Sequence, residues 1–112
     1  MKRYCLALDL KNDPALIEEY EQWHRQVSSE IEKSMTDAGI TDLEIYRTGT
    51  RMFMIMETDD AFTFERKASM DESNPKVQQW EKLMWKFQQA LPESRPGEKW
   101  VLMKKIYDLK DS

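Results

Sequence analysis

Cysteine, histidine and glycine are all scarce in this chain of 112 residues. The single cysteine, Cys5, excludes an internal disulfide and a zinc cluster built from cysteines. The single histidine, His24, excludes a metal site with two histidine ligands from one chain. Gly39, Gly49 and Gly97 lie too far apart for a P-loop or a dinucleotide-binding fingerprint. We therefore expect no metal and no cofactor, and His24 is the natural proton carrier near neutral pH.

Long apolar runs and an excess of positive charge are absent as well. No run approaches the roughly 20 residues that span a bilayer, and the N-terminal apolar stretch stops at Asp9, too early for a signal peptide. A net charge of −4 disfavours binding to nucleic acid. With 40% hydrophobic residues, the composition suits one globular domain over residues 1–112. We expect a cytoplasmic protein that binds neither membranes nor nucleic acid, with Cys5 reduced.

Hydrophobic periodicity predicts four strands and two long helices in the order β-α-β-β-α-β. The predicted strands are 3–10, 41–48, 51–58 and 99–109, and the predicted helices are 14–38, 61–70 (short) and 74–91. Pro14 and Asn74-Pro75 mark helix starts, Gly39 a left-handed helix end, and Gly49 a hairpin turn. This order is typical of an α+β, ferredoxin-like fold.

The third predicted strand is apolar on both of its faces. Met52, Met54 and Met56 lie on one face, and Phe53 and Ile55 lie on the other. Two amphipathic helices cover one face of a four-stranded sheet, so the second face needs another cover. We therefore predict a homodimer in which the sheets of two copies pack together. The alternative is a monomer that exposes part of this methionine-rich surface.

Four side chains are candidates for a functional site. His24 lies on the inward stripe of the first predicted helix, with Tyr20 one turn earlier and Trp23 beside it. Trp80 faces inward from the last helix. A histidine in a packed core and a core tryptophan are the simpler interpretations. However, the polar groups of these side chains suit a pocket wall, and an indole suits the C–H-rich face of a sugar.

The pattern Glu18-Glu19-Tyr20-x-x-x-His24, the order of elements and Trp80 on the last helix resemble the L-rhamnose mutarotase family. The resemblance covers nearly the whole chain, from Arg3 to Leu109. It implies a dimeric α+β barrel and a cofactor-free isomerase that interconverts the α and β anomers of a 6-deoxy-L-hexose. It also implies that His24 is the acid/base residue and that Tyr20 and Trp80 contact the sugar.

One position departs from the rhamnose-type pattern. A second tryptophan follows the position of Trp80 in those members, whereas this chain has Glu81. The segments 80–86 and 96–100 look more like the branch associated with L-fucose. The resemblance therefore leaves L-rhamnose and L-fucose both open as substrates. Trp85 and Trp100 lie outside the motif, and we expect Trp85 in surface or interface packing.

Three other functions compete with a mutarotase. A non-catalytic module that binds a small ligand such as a sugar could use the same fold. A cofactor-independent monooxygenase is a second alternative, by analogy of fold alone. An RNA-recognition module is a third, but its basic-aromatic strand signature is missing and the negative net charge opposes it.

Overall fold

The computed structural model describes residues 1–111 as an antiparallel sheet with helices packed on one face. The strands are β1 (Lys2–Leu10), β2 (Ile40–Thr48), β3 (Arg51–Thr58), β4 (Gln88–Gln89) and β5 (Val101–Leu102). The helices are α1 (Pro14–His24), α2 (Ser29–Asp37), α3 (Phe64–Glu72) and α4 (Pro75–Trp85), followed by a 3-10 turn at Leu109–Asp111. The strand order β2-β3-β1-β4 confirms the predicted α+β, ferredoxin-like topology. None of these helices exceeds 11 residues, and none could cross a membrane.

The helix-covered face of the sheet carries the core. Leu6 and Leu8 of β1 pair with Met54 and Met52 of β3, and alternating side chains of these strands point toward the helices. The side chains buried between sheet and helices are Leu6, Leu8, Leu10, Tyr20, Ile40, Met52, Met56, Phe62, Met84 and Phe87. Trp100 packs against both halves of this core, so it is a structural residue.

Among residues 1–111, the helices pack on the core face of the sheet and none packs on the opposite face. Cross-strand pairs place Cys5 beside Ile55 and Ala7 beside Phe53, and Tyr46 of β2 lies next to Phe53. The resulting apolar strip lies between two cross-strand ion pairs, Arg3 with Glu57 and Arg51 with Asp9. The prediction that β3 is apolar on both faces is therefore correct, and this surface is referred to below as the open face.

The predicted single helix over 14–38 is wrong, because the chain breaks it into α1 and α2. Arg25 caps the C-terminus of α1, and Ser28 caps the N-terminus of α2 in an extended conformation with φ −67° and ψ 151°. The Ser28 hydroxyl accepts a hydrogen bond of 3.3 Å from the backbone N–H of Ile31, a bond that a continuous helix would not allow. His24 is consequently the last residue of α1, and not the middle of a long helix.

Gly39 ends the helical segment as predicted, with a φ of +101°. The backbone angle requires glycine, and a Cβ at this position would also displace the Asp59 carboxylate, whose Oδ1 would lie only 2.7 Å away. The short helix α3 begins at Phe64, three residues later than predicted, because the Thr63 side chain accepts from the Arg66 N–H and caps it there.

The predicted last helix is too long. The observed helix α4 ends at Trp85. Beyond it, Phe87 is buried and Gln88 pairs with Leu10 of β1. Phe87 and Leu91 are buried as the helical stripe predicted, but both lie beyond the end of α4. Burial of these side chains against the sheet, and not helical propensity, sets the path of the chain here.

The predicted strand over 99–109 is mostly absent. Leu102 and Val101 pair with Leu6 and Ala7, and the Met103 N–H donates to the Cys5 carbonyl at 2.7 Å. Residues 103–108 have no regular secondary structure. The second edge of β1 is divided between β4 and β5, so the fourth position of the sheet is filled by two short pieces and not by one strand.

Candidate active site

Tyr20 and His24 lie one turn apart at the C-terminal end of α1. Asp13 caps the N-terminus of α1, because its Oδ1 accepts hydrogen bonds from the Ala15 and Leu16 N–H groups. Pro14 occupies the first turn. The two rings stack obliquely, with centroids 4.4 Å apart and planes inclined by 37°. This packing fixes the plane of the imidazole relative to the phenol.

The backbone fixes which nitrogen of His24 can act as a base. Nδ1 lies 2.9 Å from the carbonyl oxygen of Tyr20. A carbonyl oxygen only accepts, so Nδ1 must carry a proton and donate it. In the neutral imidazole the lone pair is then on Nε2, the atom that can take a proton from a substrate.

Trp80 brings the second helix into the site. Its ring centroid lies 5.5 Å from that of His24, and the two planes meet at 68° in an edge-to-face contact. The imidazole of His24 is thus contacted by Tyr20 from its own helix and by the indole of Trp80 from α4. Three of the four side chains predicted for the site therefore come together, and His24 stays partly exposed to solvent.

Trp23 is the predicted site residue that points elsewhere. Its side chain is 40% exposed, and its Nε1 donates to the Glu19 carboxylate at 3.3 Å. Glu19 in turn lies 3.7 Å from Nζ of Lys86. The indole N–H is satisfied on the helix surface, so Trp23 borders the group of Tyr20, His24 and Trp80 without joining it.

Gln88 is a polar residue next to the site that the sequence did not reveal. Its side chain is buried, and its Nε2 donates to the Tyr20 hydroxyl at 3.3 Å. The helical prediction over 74–91 hid this residue, because it assigned Gln88 to a helix when it belongs to β4. The antiparallel pairing of Gln88 with Leu10 turns its side chain toward the core and α1.

Burial keeps both titratable groups of the site neutral. Burial lowers the pKa of His24 below its usual value, and the hydrogen bond to the Tyr20 carbonyl opposes that shift. Burial raises the pKa of Tyr20, and the hydrogen bond from Gln88 opposes it. At pH 7 the site therefore presents a neutral imidazole, able to accept a proton, beside a protonated phenol.

Comparison with known proteins identifies the family of the chain. The family model described as L-rhamnose mutarotase matches residues 3–109. The chain belongs to the L-rhamnose mutarotase family. A curated relative, the L-fucose mutarotase of Xanthomonas campestris, is 46% identical over 114 aligned positions, which cover 100% of this chain and 91% of the relative. The predicted sugar mutarotase, an isomerase, is thus confirmed as the reaction class.

Solved structures show the same fold in proteins of low sequence identity. The L-rhamnose mutarotase from Formosa agariphila superposes with a TM-score of 0.72 at 14% identity, covering 97% of this chain and 99% of that one. The tetracenomycin F2 cyclase from Streptomyces glaucescens, a polyketide cyclase, gives 0.67 at 15% identity and 96% coverage of both chains. At these identities the likeness concerns the fold and carries no statement about chemistry.

Glu81 and Trp85 form a separate cluster on α4, away from the His24 contact. Nζ of Lys99 lies 4.9 Å from the ring centroid of Trp85 and 3.9 Å from the Glu81 carboxylate, and it donates to the Glu81 carbonyl at 3.4 Å. Burial lowers the pKa of Lys99, and Glu81 opposes the shift. Trp85 is thus in surface packing, as predicted, and Glu81 is held by a lysine from the chain before β5.

Two surface cavities, of about 350 and 290 Å³, lie apart from the mutarotase residues. The larger lies between α1 and the β2–β3 hairpin, with Glu21 and Arg47 on its walls. The smaller lies between α3 and α4, beside the ion pair of Lys67 and Asp71. Within residues 1–111 no three His, Cys, Asp or Glu side chains are grouped closely enough to hold a metal ion.

Proposed function

We propose that His24 is the acid/base residue of mutarotation and that Tyr20 and Trp80 contact the sugar. The observation that carries the proposal is the hydrogen bond from Nδ1 to the Tyr20 carbonyl, which leaves Nε2 as the free base of a partly exposed ring. A neutral imidazole with one nitrogen occupied by the backbone is arranged to move a single proton at the other.

In the proposed reaction the anomeric hydroxyl gives its proton to Nε2 of His24. The same proton is returned to the ring oxygen while the C1–O5 bond breaks, which yields the open-chain aldehyde. Rotation about C1–C2 presents the other face of the carbonyl, and the reverse transfers close the ring. Protons and electrons balance without a cofactor, and a positioned acid/base group contributes roughly 10²–10⁴-fold to such a step.

The indole of Trp80 offers an apolar face, and the Tyr20 hydroxyl offers a polar contact. A 6-deoxy sugar combines a C–H-rich face and a methyl group with hydroxyls, so it can use both. Tyr20 is 4% exposed and its ring packs against that of His24, so the proposed contact of a sugar with its hydroxyl requires these two rings to separate. Trp23 is proposed to border the entrance, because its indole is exposed beside His24.

We propose L-fucose as the preferred sugar. The support is the 46% identity to an L-fucose mutarotase and the presence of Glu81 after Trp80. Glu81 is charged and is held beside Lys99, so the surface next to Trp80 is polar where a second indole would be apolar. A polar surface favours a sugar that presents a hydroxyl there.

Magnetisation exchange between the anomeric proton signals of L-fucose and L-rhamnose at equilibrium tests the activity and the sugar together. We expect faster exchange for both sugars with the protein present, and the larger effect for L-fucose. His24→Ala should lose roughly 10²–10⁴-fold of the catalysed rate. Trp85→Phe, on the other side of α4, is the matched control and should keep the rate. Wild-type exchange in His24→Ala would remove His24 from the mechanism.

A homodimer that covers the open face is part of the proposal, and a cytoplasmic location stays a prediction from the sequence. In the apolar strip of the open face, Cys5, Phe53 and Ile55 are partly exposed in the single chain, and only Ala7 is buried. Ile106 and Tyr107 near the C-terminus are 91% and 64% exposed and offer further apolar area. A second copy of the chain, related by a two-fold axis, would bury the open face.

A further inference from the structure

The side chain of Gln88 lies in the core next to the proposed site and is 5% exposed. Its Nε2 donates to the Tyr20 hydroxyl at 3.3 Å, while its Oε1 is buried with no hydrogen-bond partner among residues 1–111. A buried amide with an unpaired oxygen destabilises a fold relative to an apolar side chain of similar size. Packing alone therefore does not account for an amide at this position.

The amide determines what the Tyr20 hydroxyl can do. A phenol has one proton to donate and an oxygen that accepts. Because Gln88 donates to the oxygen of Tyr20, the phenolic proton is not used in that bond. The hydroxyl keeps its proton for another acceptor, and burial favours the protonated phenol.

We propose that Gln88 is a positioning residue that holds the Tyr20 hydroxyl as a hydrogen-bond donor toward the ring oxygen of the sugar. The inference rests on the proposed sugar-binding role of Tyr20. A ring oxygen carries no hydrogen and can only accept, so a tyrosine that served as an acceptor would offer it nothing. The ring oxygen is also the atom that gains a proton when the ring opens, so a donor there assists the proposed step.

The pH dependence of kcat/KM in the variant Gln88→Glu tests the direction of the hydrogen bond between residue 88 and Tyr20. The protonated carboxyl donates to Tyr20 as the amide does, whereas the ionised carboxylate accepts and turns the phenolic proton away from the sugar. Burial raises the pKa of such a carboxyl, so its ionisation falls within an accessible pH range. We expect kcat/KM for L-fucose, divided by the wild-type value at the same pH, to fall about tenfold as residue 88 ionises.

A carboxylate at residue 88 would also raise the pKa values of Tyr20 and His24, the titratable groups of α1 at the site. The ratio to wild type is therefore read where His24 is neutral in both proteins. Lys86 and Glu19 form an ion pair at the surface above Phe87 and are present in both proteins. Gln89→Glu is the matched control, because Gln89 is the next residue of the same strand and is exposed. Its ratio to wild type should stay flat across the range.

A ratio that rises with pH in Gln88→Glu would overturn the proposal, because an acceptor at residue 88 would then assist the reaction. A ratio that stays flat would also overturn it, because the direction of this hydrogen bond would then not affect the rate. Gln88→Met, similar in length and apolar, provides a second test if the glutamate variant does not fold. It should lose about tenfold in kcat/KM while its thermal unfolding midpoint stays near that of wild type, since the unpaired amide oxygen is removed with the donor. Wild-type kcat/KM in Gln88→Met would also overturn it.

Tyr20→Phe separates this inference from the proposed function. Wild-type sugar exchange in Tyr20→Phe would show that Tyr20 has no role at the sugar, and both proposals for this side chain would fail. A loss of activity in Tyr20→Phe together with wild-type activity in Gln88→Met would refute the role of Gln88 alone.

Discussion

The proposed chemistry of this chain depends on one imidazole, His24, whose two nitrogens have different hydrogen-bonding roles. Nδ1 donates to the carbonyl of Tyr20 at 2.9 Å, a group that belongs to the last turn of the same helix. The tautomer is therefore imposed by the backbone and does not depend on a second side chain. The rings of Tyr20 and Trp80 pack against the imidazole and hold its plane.

The pH dependence of mutarotation should report the titration of His24. Only the neutral imidazole accepts a proton, so kcat/KM should be constant at high pH and fall as His24 protonates. Because burial lowers the pKa of His24, the half-maximal point should lie below the usual value of about 6.5. Anomer exchange measured between pH 5 and pH 8 checks this, and a midpoint above that value would contradict it.

The same shift predicts how stability changes with pH. The unfolded chain protonates His24 at a higher pH than the folded chain does, so it binds more protons in between. The contribution of His24 to stability is present above about pH 6.5 and is lost as pH falls toward the pKa of the folded state. His24→Gln should remove this contribution from the stability profile, which provides the control.

At the scale of elements, the break between α1 and α2 places His24 at a helix end. Ser28 makes the break by capping α2, and Glu30 and Glu32 in the first turn of α2 favour a helix start there. The end of α4 at Trp85 has a similar effect on the other side of the site. Because the helix stops there, Phe87 and Gln88 are buried in the core. Both helix ends are needed to assemble the site.

Ser28→Ala should lower the free energy of unfolding by about 1 kcal/mol, because the Ile31 N–H loses its acceptor. Urea unfolding followed by circular dichroism measures the change. Ser29→Ala is the matched control, since Ser29 is exposed and is the first residue of α2, where alanine is a good helix former. An equal loss in both variants would show that Ser28 is not the cap.

At the scale of the molecule, the proposed homodimer depends on the open face. The strip centred on Phe53 is apolar, and the ion pairs of Arg3 with Glu57 and of Arg51 with Asp9 lie toward its two ends. A central apolar area with a charged rim is typical of a protein interface.

Phe53→Lys should convert the proposed homodimer into a monomer, because the interface would bury an unpaired ammonium group. The fold should persist, since Phe53 is partly exposed in the single chain. Size-exclusion chromatography with light scattering gives the mass. Gln26→Lys adds the same charge to the exposed connector between α1 and α2 and should stay dimeric. A wild-type protein that elutes as a monomer would refute the homodimer.

The sequence by itself determined the first three strands, the fold class and the contact between Tyr20 and His24. Alternation along β1 and β3 identified the core face, because side chains of a strand point to opposite sides. The spacing of Tyr20 and His24 placed them together on one helix face, and the motif around them indicated the family that the comparison confirmed. Each of these rests on periodicity or on residues close together along the chain.

Tertiary structure alone decided where the helices end and what lies between them. Trp85 ends α4 because Phe87 and Gln88 gain burial against the sheet, and local helix propensity carries no record of that gain. The contact of His24 with Trp80 joins residues 56 positions apart, and Gln88 reaches Tyr20 across 68 positions. Such pairs depend on the packing of the whole chain, because no pattern of neighbouring residues specifies a distance between two separate elements.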